Sequence, residues 1–433
     1  MNPSADARSA TPVAGPGAVP DALEPTTGAA RPGRGLGAFV GVPRETFARE
    51  HWGRAPLLTR SQDLPAPTHG FGPAAVDELL SSRALRTPFL RMARDGATLP
   101  DAAFTLGGGV GAAIGDQVSE DKVLRQFAEG ATIVLQALHR TWAPVARTAR
   151  ELAADLGHPV QVNAYVTPPQ NRGFDDHYDV HDVLVVQVAG EKHWSVRPPV
   201  IEAPLRTQPW TDRREDVARA AGAGPVIDAV LRPGDCLYLP RGWLHSATAL
   251  GGVSTHLTFG VHTWTVRHLL DDLLHAATTH LDDDPAARAS LPLGVDVLDP
   301  MTPARHREAV RAALEAALDA VSDDDLARLL AARGRGAQRA EPLGVLDQHA
   351  AAERTHAHAW RVRDGLAARW EGDTLVTRVA RVDVPPTARD AVRVVLAGDL
   401  DPARLHPDDL RRLVLAGVLL PADGGAGPAA PLP

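Results

Sequence analysis

The sequence predicts a mixed α+β protein with a jelly-roll core followed by a helical region. Short strand-like runs separated by turn signals fill roughly residues 131–263, as expected of a sandwich or small barrel. After Val261 the apolar residues recur with a helical period. Residues 1–34 are rich in alanine, proline and glycine and have almost no large apolar side chains, so they are expected to be disordered.

Composition excludes several classes of protein. With 44% hydrophobic and 23% charged residues, the 433-residue chain resembles an ordinary globular protein. Its net charge of −8 argues against nucleic acid as a partner, and its one cysteine, Cys236, excludes a disulfide framework. No apolar run approaches the roughly 20 residues of a membrane helix, so no membrane partner is expected. The N-terminus lacks the pattern of a secretory signal, and a cytoplasmic location is therefore expected.

Within the predicted core, one segment stands out as a buried strand. The run VLVVQV at 183–188 is almost continuously apolar, which is typical of a strand covered on both faces. Turn signals at Gly190 and at the Pro-Gly-Asp of 233–235 delimit its neighbours. Residues 36–130 are expected to form short helices and loops. The predicted strands are 132–138, 160–166, 183–188, 194–196, 236–239 and 253–259.

Residues 264–345 are predicted to be helical. Ser322 followed by Asp325 is typical of a capping box that opens a helix. The apolar stripes are Leu269, Leu270, Leu273 and Leu274, then Val310, Leu314, Leu318 and Val321. Such stripes fit either an internal core or a dimer interface. Residues 346–422 alternate helix-like and strand-like pieces without a basic excess, which disfavours nucleic-acid binding, and 423–433 form a low-complexity tail.

A candidate metal site lies in the segment FDDHYDVHDV. His177 and Asp179 are separated by one residue, so in an extended chain both side chains point to the same side. His245, after the strand and turn of PGDCLYLPRGWLH, is the candidate third ligand. Two histidines and one carboxylate form a metal-binding face that leaves positions open for other ligands, as in non-haem iron oxygenases. We therefore predict a metal on His177, Asp179 and His245.

The motifs of this region resemble those of the ribosomal oxygenases of the JmjC/cupin group. The matching runs are NAYVTPP, GFDDHYDVHDV, QVAGEKHW, LYLPRGWLH and STHLTFG, with FAREHWGRAPLL near the start of the chain. The resemblance implies a JmjC-type double-stranded β-helix as the catalytic domain at 35–263. It also implies a helical dimerisation domain at 264–345 and a winged helix at 346–422.

The resemblance further implies an activity and its cofactors. His177, Asp179 and His245 would bind iron(II), and Lys192, one of only two lysines, would pair with the distal carboxylate of 2-oxoglutarate. Asn163, Tyr165 and Ser254 match positions that line the cosubstrate pocket. The expected reaction uses O2 to hydroxylate an arginine or histidine side chain of a protein or peptide, with a ribosomal protein as the expected type of substrate. A homodimer is also implied.

Other interpretations stay open at this point. The chain would also suit a hydroxylase that tailors a peptide natural product, a cupin that uses another divalent metal, or a non-catalytic cupin adaptor. Among nearby polar residues, His181 is not expected to be a ligand, and His256 is expected to be an ordinary strand residue. Asp182 is expected to be solvated or to form a turn.

Overall fold

The computed structural model describes residues 35–64, 70–172 and 174–422. The tails predicted at 1–34 and 423–433 therefore lie outside the described residues. The described part is a mixed α/β structure built around a large antiparallel sheet, which agrees with the predicted fold class and with a jelly-roll core.

Nine strands form this sheet. Their order is β1-β10-β8-β11-β7-β6-β2-β3, and β9 pairs with the second half of β8. The strands of this part of the chain are β1 (Leu57–Thr59), β2 (Leu90–Arg94), β3 (Ala97–Thr98), β4 (Thr105–Leu106), β5 (Gln117–Val118), β6 (Thr132–Leu135), β7 (Val160–Thr167), β8 (Asp182–Arg197), β9 (Ile227–Leu231), β10 (Cys236–Leu239) and β11 (Leu244–Val261). Strands β4 and β5 form a separate pair.

The two longest strands, β8 and β11, run antiparallel to each other along nearly their whole length. The predicted turn at Gly190 is a bend inside β8, so 183–188 and 194–196 belong to one strand. Gly190 has a φ of 64°, and a Cβ there would lie 2.2 Å from the carbonyl oxygen of Val253 on β11. Glycine is therefore required at this bend, because the two strands approach too closely for a side chain.

The first half of β8 is buried on both faces, as its apolar run predicts. Leu184 and Val186 pack into the larger core between the sheet and the preceding helices. Val183 and Val185 point the other way, into a smaller core inside the fold. Period-two alternation thus directs neighbouring side chains to opposite cores.

Helices precede the central strands and cover one face of the sheet. They are α1 (Arg44–Thr46), α2 (Pro73–Ser82), α3 (Glu120–Ala128), α4 (Leu138–Thr141), α5 (Ala143–Leu156) and, later, α6 (Arg214–Ala221). The strand predicted over 132–138 ends at Leu135, because Ala137 takes a left-handed φ of 55° and α4 begins next. Residues 36–130 also contain strands β1 to β5, which were not predicted.

Three long helices follow the sheet: α7 (Val266–Asp283), α8 (Thr302–Ala320) and α9 (Asp323–Ala337). The capping box of α9 is confirmed, since the Ser322 hydroxyl accepts a bond from the Asp325 amide at 3.2 Å. An ion pair between Arg333 and Asp272 joins α9 to α7. Much of the predicted apolar stripe of α7 is exposed, with Leu269 at 43% and Leu270 at 45%.

The C-terminal part has its own core. It contains α10 (Val345–Ala352), α11 (Arg389–Ala397), α12 (Pro407–Leu415), β12 (Trp360–Val362), β13 (Arg369–Glu371), β14 (Thr374–Val376), β15 (Arg381–Asp383) and β16 (Leu419–Pro421). Leu375, Val392 and Val414 are fully buried in this core. None of the helices in the described ranges has the length and apolar character needed to cross a membrane.

Candidate metal centre

The main chain brings His177 and His245 side by side. His177 lies just before β8, and His245 is the second residue of β11. The His177 amide donates to the His245 carbonyl at 3.2 Å, and the His245 amide donates to the His177 carbonyl at 2.8 Å. The ring centroids are 4.5 Å apart. Two residues that are far apart in the sequence are thus held together by backbone hydrogen bonds.

Asp179 completes the group. Its Oδ2 lies 3.7 Å from Nε2 of His245, and its own carbonyl accepts a bond from the Gly242 amide at 2.9 Å. The candidate ligand atoms of His177, Asp179 and His245 all lie within 4.8 Å of one another. The structure therefore brings together the three residues predicted as ligands.

Hydrogen bonds fix which ring nitrogen of each histidine faces the centre. Nδ1 of His177 lies 2.7 Å from the Asp175 carbonyl, and Nδ1 of His245 lies 3.0 Å from the Trp243 carbonyl. A carbonyl only accepts, so each Nδ1 carries the proton and donates it. Each Nε2 then keeps its lone pair, which is the form in which imidazole binds a metal.

The charges of the site are also those of a metal centre. Burial, together with the neighbouring His177, lowers the pKa of His245 to about 4, so this ring is neutral at physiological pH. Burial alone would raise the pKa of Asp179, but His181, His245, His177 and Arg91 hold that pKa below its usual value. Asp179 is therefore ionised. Neutral imidazoles and a carboxylate are the protonation states that metal binding requires.

These three residues open into a cavity of about 380 Å³ that also receives Lys192. Lys192 is only 3% exposed, and its Nζ donates to Oγ1 of Thr167 at 3.0 Å. Burial lowers the pKa of Lys192 to about 7. Among the described residues no carboxylate lies within 4 Å of this ammonium, so it is a buried cation with only a neutral partner.

The other residues predicted for the pocket are placed differently. Tyr165 lines the cavity and stacks on His256 at 4.9 Å. Asn163 and Ser254 are not among the lining residues. The Asn163 side chain accepts a bond from the Ala137 amide at 3.1 Å, and the buried Ser254 hydroxyl bonds to Gln187 at 2.9 Å. Their roles in cosubstrate binding stay predictions.

Several polar residues differ from their sequence expectation. Asp182, expected to be solvated, is fully buried and accepts bonds from the Tyr238 hydroxyl and the Arg241 amide. His256 is a strand residue as expected, but it also lines the cavity, and its Nδ1 is buried without a hydrogen-bond partner. His181 lies outside the ligand group and bonds to Gln161.

Sequence reasoning did not identify part of the cavity wall. The lining residues Arg91, Thr132 and Trp210 lie outside the quoted motifs, whereas Phe174 and Trp194 lie within them but were assigned no role. Arg91 lies on β2, and Trp210 begins the short 3-10 helix Trp210–Arg213 before α6; both are far along the chain from His177. Only the pairing of β2, β6 and β7 brings Arg91 to the site, so no spacing in the sequence could have identified it.

A large antiparallel sheet that carries two histidines and a carboxylate as a metal-binding face is consistent with the JmjC/cupin class. Residues 139–269 match the family described as JmjC domain. Ribosomal oxygenase 1 of Gallus gallus is 30% identical over 255 residues, which is 58% of this chain and 40% of that protein. The bifunctional lysine-specific demethylase and histidyl-hydroxylase NO66 of Drosophila persimilis is 38% identical over 104 residues, 24% of this chain and 14% of that protein.

Solved structures share the fold over most of the chain. YcfD, a ribosomal oxygenase from Escherichia coli solved in complex with cobalt and 2-oxoglutarate, superposes with a TM-score of 0.51 at 15% identity. The superposition covers 88% of this chain and 98% of that one. The matches to curated relatives span less than half of those proteins' length. Together these findings confirm the resemblance: residues 139–269 match the JmjC domain, and the chain is similar over part of its length to ribosomal oxygenases.

Proposed function

We propose that this protein is an iron(II)- and 2-oxoglutarate-dependent oxygenase. The proposed reaction hydroxylates a C–H bond of an arginine or histidine side chain in a protein or peptide. The observation that carries the proposal is one cavity that joins the metal-binding face of His177, Asp179 and His245 to the buried cation Lys192. The relatives named as ribosomal oxygenases support it.

The donor set fits iron(II). Two imidazole nitrogens and one carboxylate oxygen on one side of an ion leave the opposite positions free, which is the ligand pattern of non-haem iron oxygenases. Bound iron(II), together with 2-oxoglutarate, supplies the oxidation of an unactivated C–H bond by O2. The residues of the chain hold the reactants and exclude water.

Lys192 is the residue that favours a dicarboxylate cosubstrate. Among the described residues, the buried Lys192 ammonium bonds only to a threonine hydroxyl. Burying a charge with so little compensation costs free energy, and an incoming carboxylate would offset that cost. The ion pair would also raise the pKa of Lys192 again and keep the ammonium charged. Thr167 and, through it, Thr132 orient the Nζ group.

For the substrate, we propose a basic protein or peptide, with a ribosomal protein as the first candidate. The net charge of −8 favours association with such a partner. The test incubates the iron(II)-loaded enzyme with 2-oxoglutarate and ribosomal proteins, then searches by mass spectrometry for side chains that gain one oxygen atom. Product that forms only when both iron(II) and 2-oxoglutarate are present supports the proposal. An enzyme that turns 2-oxoglutarate into no succinate under any condition contradicts it.

We also propose that 264–345 is a dimerisation domain, 346–422 a winged-helix domain and the location cytoplasmic. The dimer rests on apolar side chains of the long helices that stay exposed in one chain. They are Val266, Leu269, Leu270, Leu274, Val310 and Leu330, each at least 37% exposed. A second chain that covers this surface would remove it from water.

A further inference from the structure

A second cavity lies apart from the candidate metal centre, where α4 and the start of α5 meet the chain that follows α9. Its volume is about 210 Å³, and it shares no lining residue with the metal cavity. On the α5 side the lining residues are Ala143, Ala146 and Arg150, which recur at helical spacing. The opposite side is formed by residues of 338–342. The cavity therefore lies between the helices that cover the sheet and the segment that leads to the C-terminal part.

The wall of this second cavity is positively charged. Three of its residues are arginines, Arg140, Arg150 and Arg339, and none of its described residues is acidic. Exposed arginines elsewhere in the chain do form ion pairs, as Arg94 does with Glu129. Within residues 35–64, 70–172 and 174–422, no carboxylate oxygen lies within 4 Å of the guanidinium nitrogens of these three arginines. The chain has a net charge of −8, so this wall is the opposite of its overall charge.

Two carboxylates lie near Arg150 but leave the wall positively charged. Burial lowers the pKa of Arg150, and the charges of Glu341 and Asp364 partly oppose that change. Glu341 is already engaged by Arg361, which donates two hydrogen bonds to it at 2.8 Å each. Asp364 is exposed, and neither acid lines the cavity. Arg150 is therefore a partly buried cation that these acids do not neutralise.

His139, a further residue of the wall, reports the same charge. Burial, together with the charges of Arg140 and Arg339, lowers the pKa of His139 to about 4, so the ring is neutral at pH 7. Its Nδ1 accepts a bond from the Val162 amide at 3.1 Å, and Nε2 therefore carries the proton. The wall thus combines three cations with a neutral ring, and none of its described residues would repel an anion by charge.

We propose that this cavity binds a compact molecule that carries a phosphate group. Such binding would be independent of the proposed oxygenase function. A phosphate group carries about two negative charges and three acceptor oxygens, so several guanidinium groups can contact it from different sides. A carboxylate offers only two oxygens in one plane. Pockets for drug-sized ligands measure about 300–1,000 Å³, so a cavity of about 210 Å³ admits a smaller ligand.

The experiment measures the binding of pyrophosphate by calorimetry at about 0.15 M salt, where weak surface attraction is screened. It uses the full-length protein without metal, because pyrophosphate itself binds divalent ions. We expect one site per chain. Arg150→Gln and Arg339→Gln should each weaken binding roughly ten- to a hundredfold, because each removes hydrogen bonds between charged groups. Arg339 is exposed, so its variant tests the site even if Arg150→Gln lowers the melting temperature.

Two control variants decide where the anion binds. Arg147→Gln removes the same charge from an exposed position of α5 outside the cavity. Lys192→Ala removes the buried ammonium of the metal cavity. Both variants should bind pyrophosphate within about threefold of the wild type, because neither side chain contacts the proposed site. Equal weakening in Arg147→Gln and Arg150→Gln would mean unspecific attraction to a positive surface, and loss of binding in Lys192→Ala would place the anion in the metal cavity. Either result overturns the proposal.

A competition measurement tests the chemical class of the ligand. Succinate is added to Lys192→Ala with bound pyrophosphate, so that the carboxylate site of the metal cavity is already impaired. Equimolar succinate should displace little pyrophosphate. Displacement in proportion to its concentration would overturn the assignment to phosphate, and a wild-type chain that binds no pyrophosphate at millimolar concentration would overturn the site itself. Neither outcome depends on whether the protein turns over 2-oxoglutarate.

Discussion

The strands of the large sheet and the helical region that follows them differ in how far their apolar side chains are exposed to solvent. At the end of β11, Leu257, Phe259 and Val261 are completely buried within one chain. A few residues later, on α7, Leu269 and Leu270 are nearly half exposed. The strands of the large sheet therefore bury their apolar side chains within one chain, whereas the helical region presents apolar surface to solvent. The difference indicates that the catalytic site and the proposed assembly can be perturbed independently.

The largest expected effect is on the metal centre. His177→Ala or Asp179→Ala should reduce iron(II) from about one per chain to almost none, because two ligands are too few to hold iron(II) in a site built for three. Iron content after anaerobic reconstitution is the measurement. His193→Ala is the control, since His193 lies on β8 outside the ligand group and pairs with Asp228. Full iron content in both His177→Ala and Asp179→Ala would mean that the metal site lies elsewhere. Light scattering of both variants should show the same oligomeric state as the wild type.

Lys192→Ala tests the cosubstrate pocket without touching the ligands. A hydrogen bond to a charged group contributes about 1.5–3 kcal/mol, so the half-saturating 2-oxoglutarate concentration should rise roughly ten- to a hundredfold while iron stays bound. Lys192→Arg should restore little of the affinity for 2-oxoglutarate, since the planar guanidinium group does not replace the compact ammonium group. The readout is succinate formed against 2-oxoglutarate concentration.

The other lysine of the chain is the control for this experiment. Lys122 bonds to the carbonyls of Ala102 and Thr105, away from the cavity. Lys122→Ala should leave the half-saturation unchanged. An unchanged half-saturation in Lys192→Ala would contradict the role assigned to Lys192 and favour a cupin that uses its metal for another reaction.

The pH dependence of cosubstrate binding should report the same lysine. Burial lowers the pKa of Lys192 to about 7, so above that pH the free site must take up a proton before it can pair with a carboxylate. The wild-type half-saturation should therefore rise with pH above 7, by up to about tenfold per pH unit. Lys192→Arg, which stays protonated, should not show this rise. If the half-saturating 2-oxoglutarate concentration changes with pH in the same way in the wild type and in Lys192→Arg, Lys192 does not titrate in this range.

The smallest expected effect on chemistry comes from the helical region. The double variant Leu269→Asp, Leu270→Asp should convert a dimer to monomers in light scattering, because each leucine buried in an interface contributes about 1.5–3 kcal/mol. Iron binding should not change. Leu124→Asp is the control, since Leu124 is 68% exposed on α3, outside the helical region. A wild-type chain that is already monomeric at micromolar concentration would remove the dimer proposal.

The three candidate metal ligands, which the structure brings together, could be identified from sequence because their signal is local. His177 and Asp179 alternate within one extended segment, and His245 follows a recognisable turn and strand. The buried strand at 183–188 could also be predicted, since a strand that is buried on both faces consists almost entirely of apolar residues. At Gly190 the sequence predicts a turn between two strands, whereas the structure has a bend within β8. A glycine that ends a strand and a glycine within a bent strand give the same sequence pattern.

The part of the cavity wall formed by Arg91 and Trp210 could not be predicted, because it is assembled by tertiary pairing. Arg91 and Trp210 lie on separate elements and have ordinary neighbours in the sequence. Likewise, the stripe on α7 has the same spacing whether it faces a core or a partner, so only the observed exposure of Leu269 and Leu270 favours an interface. Periodicity defines a face of a helix but does not say what covers it.

The two backbone hydrogen bonds between His177 and His245 have a consequence for metal selection. The two amide-to-carbonyl bonds set the spacing of the imidazoles without help from an ion. An ion that enters such a site does not have to reorganise the main chain around these two ligands. Intrinsic affinities rise from manganese to copper, so selection among these ions depends on the preset geometry, on the ligand types and on which ions are available.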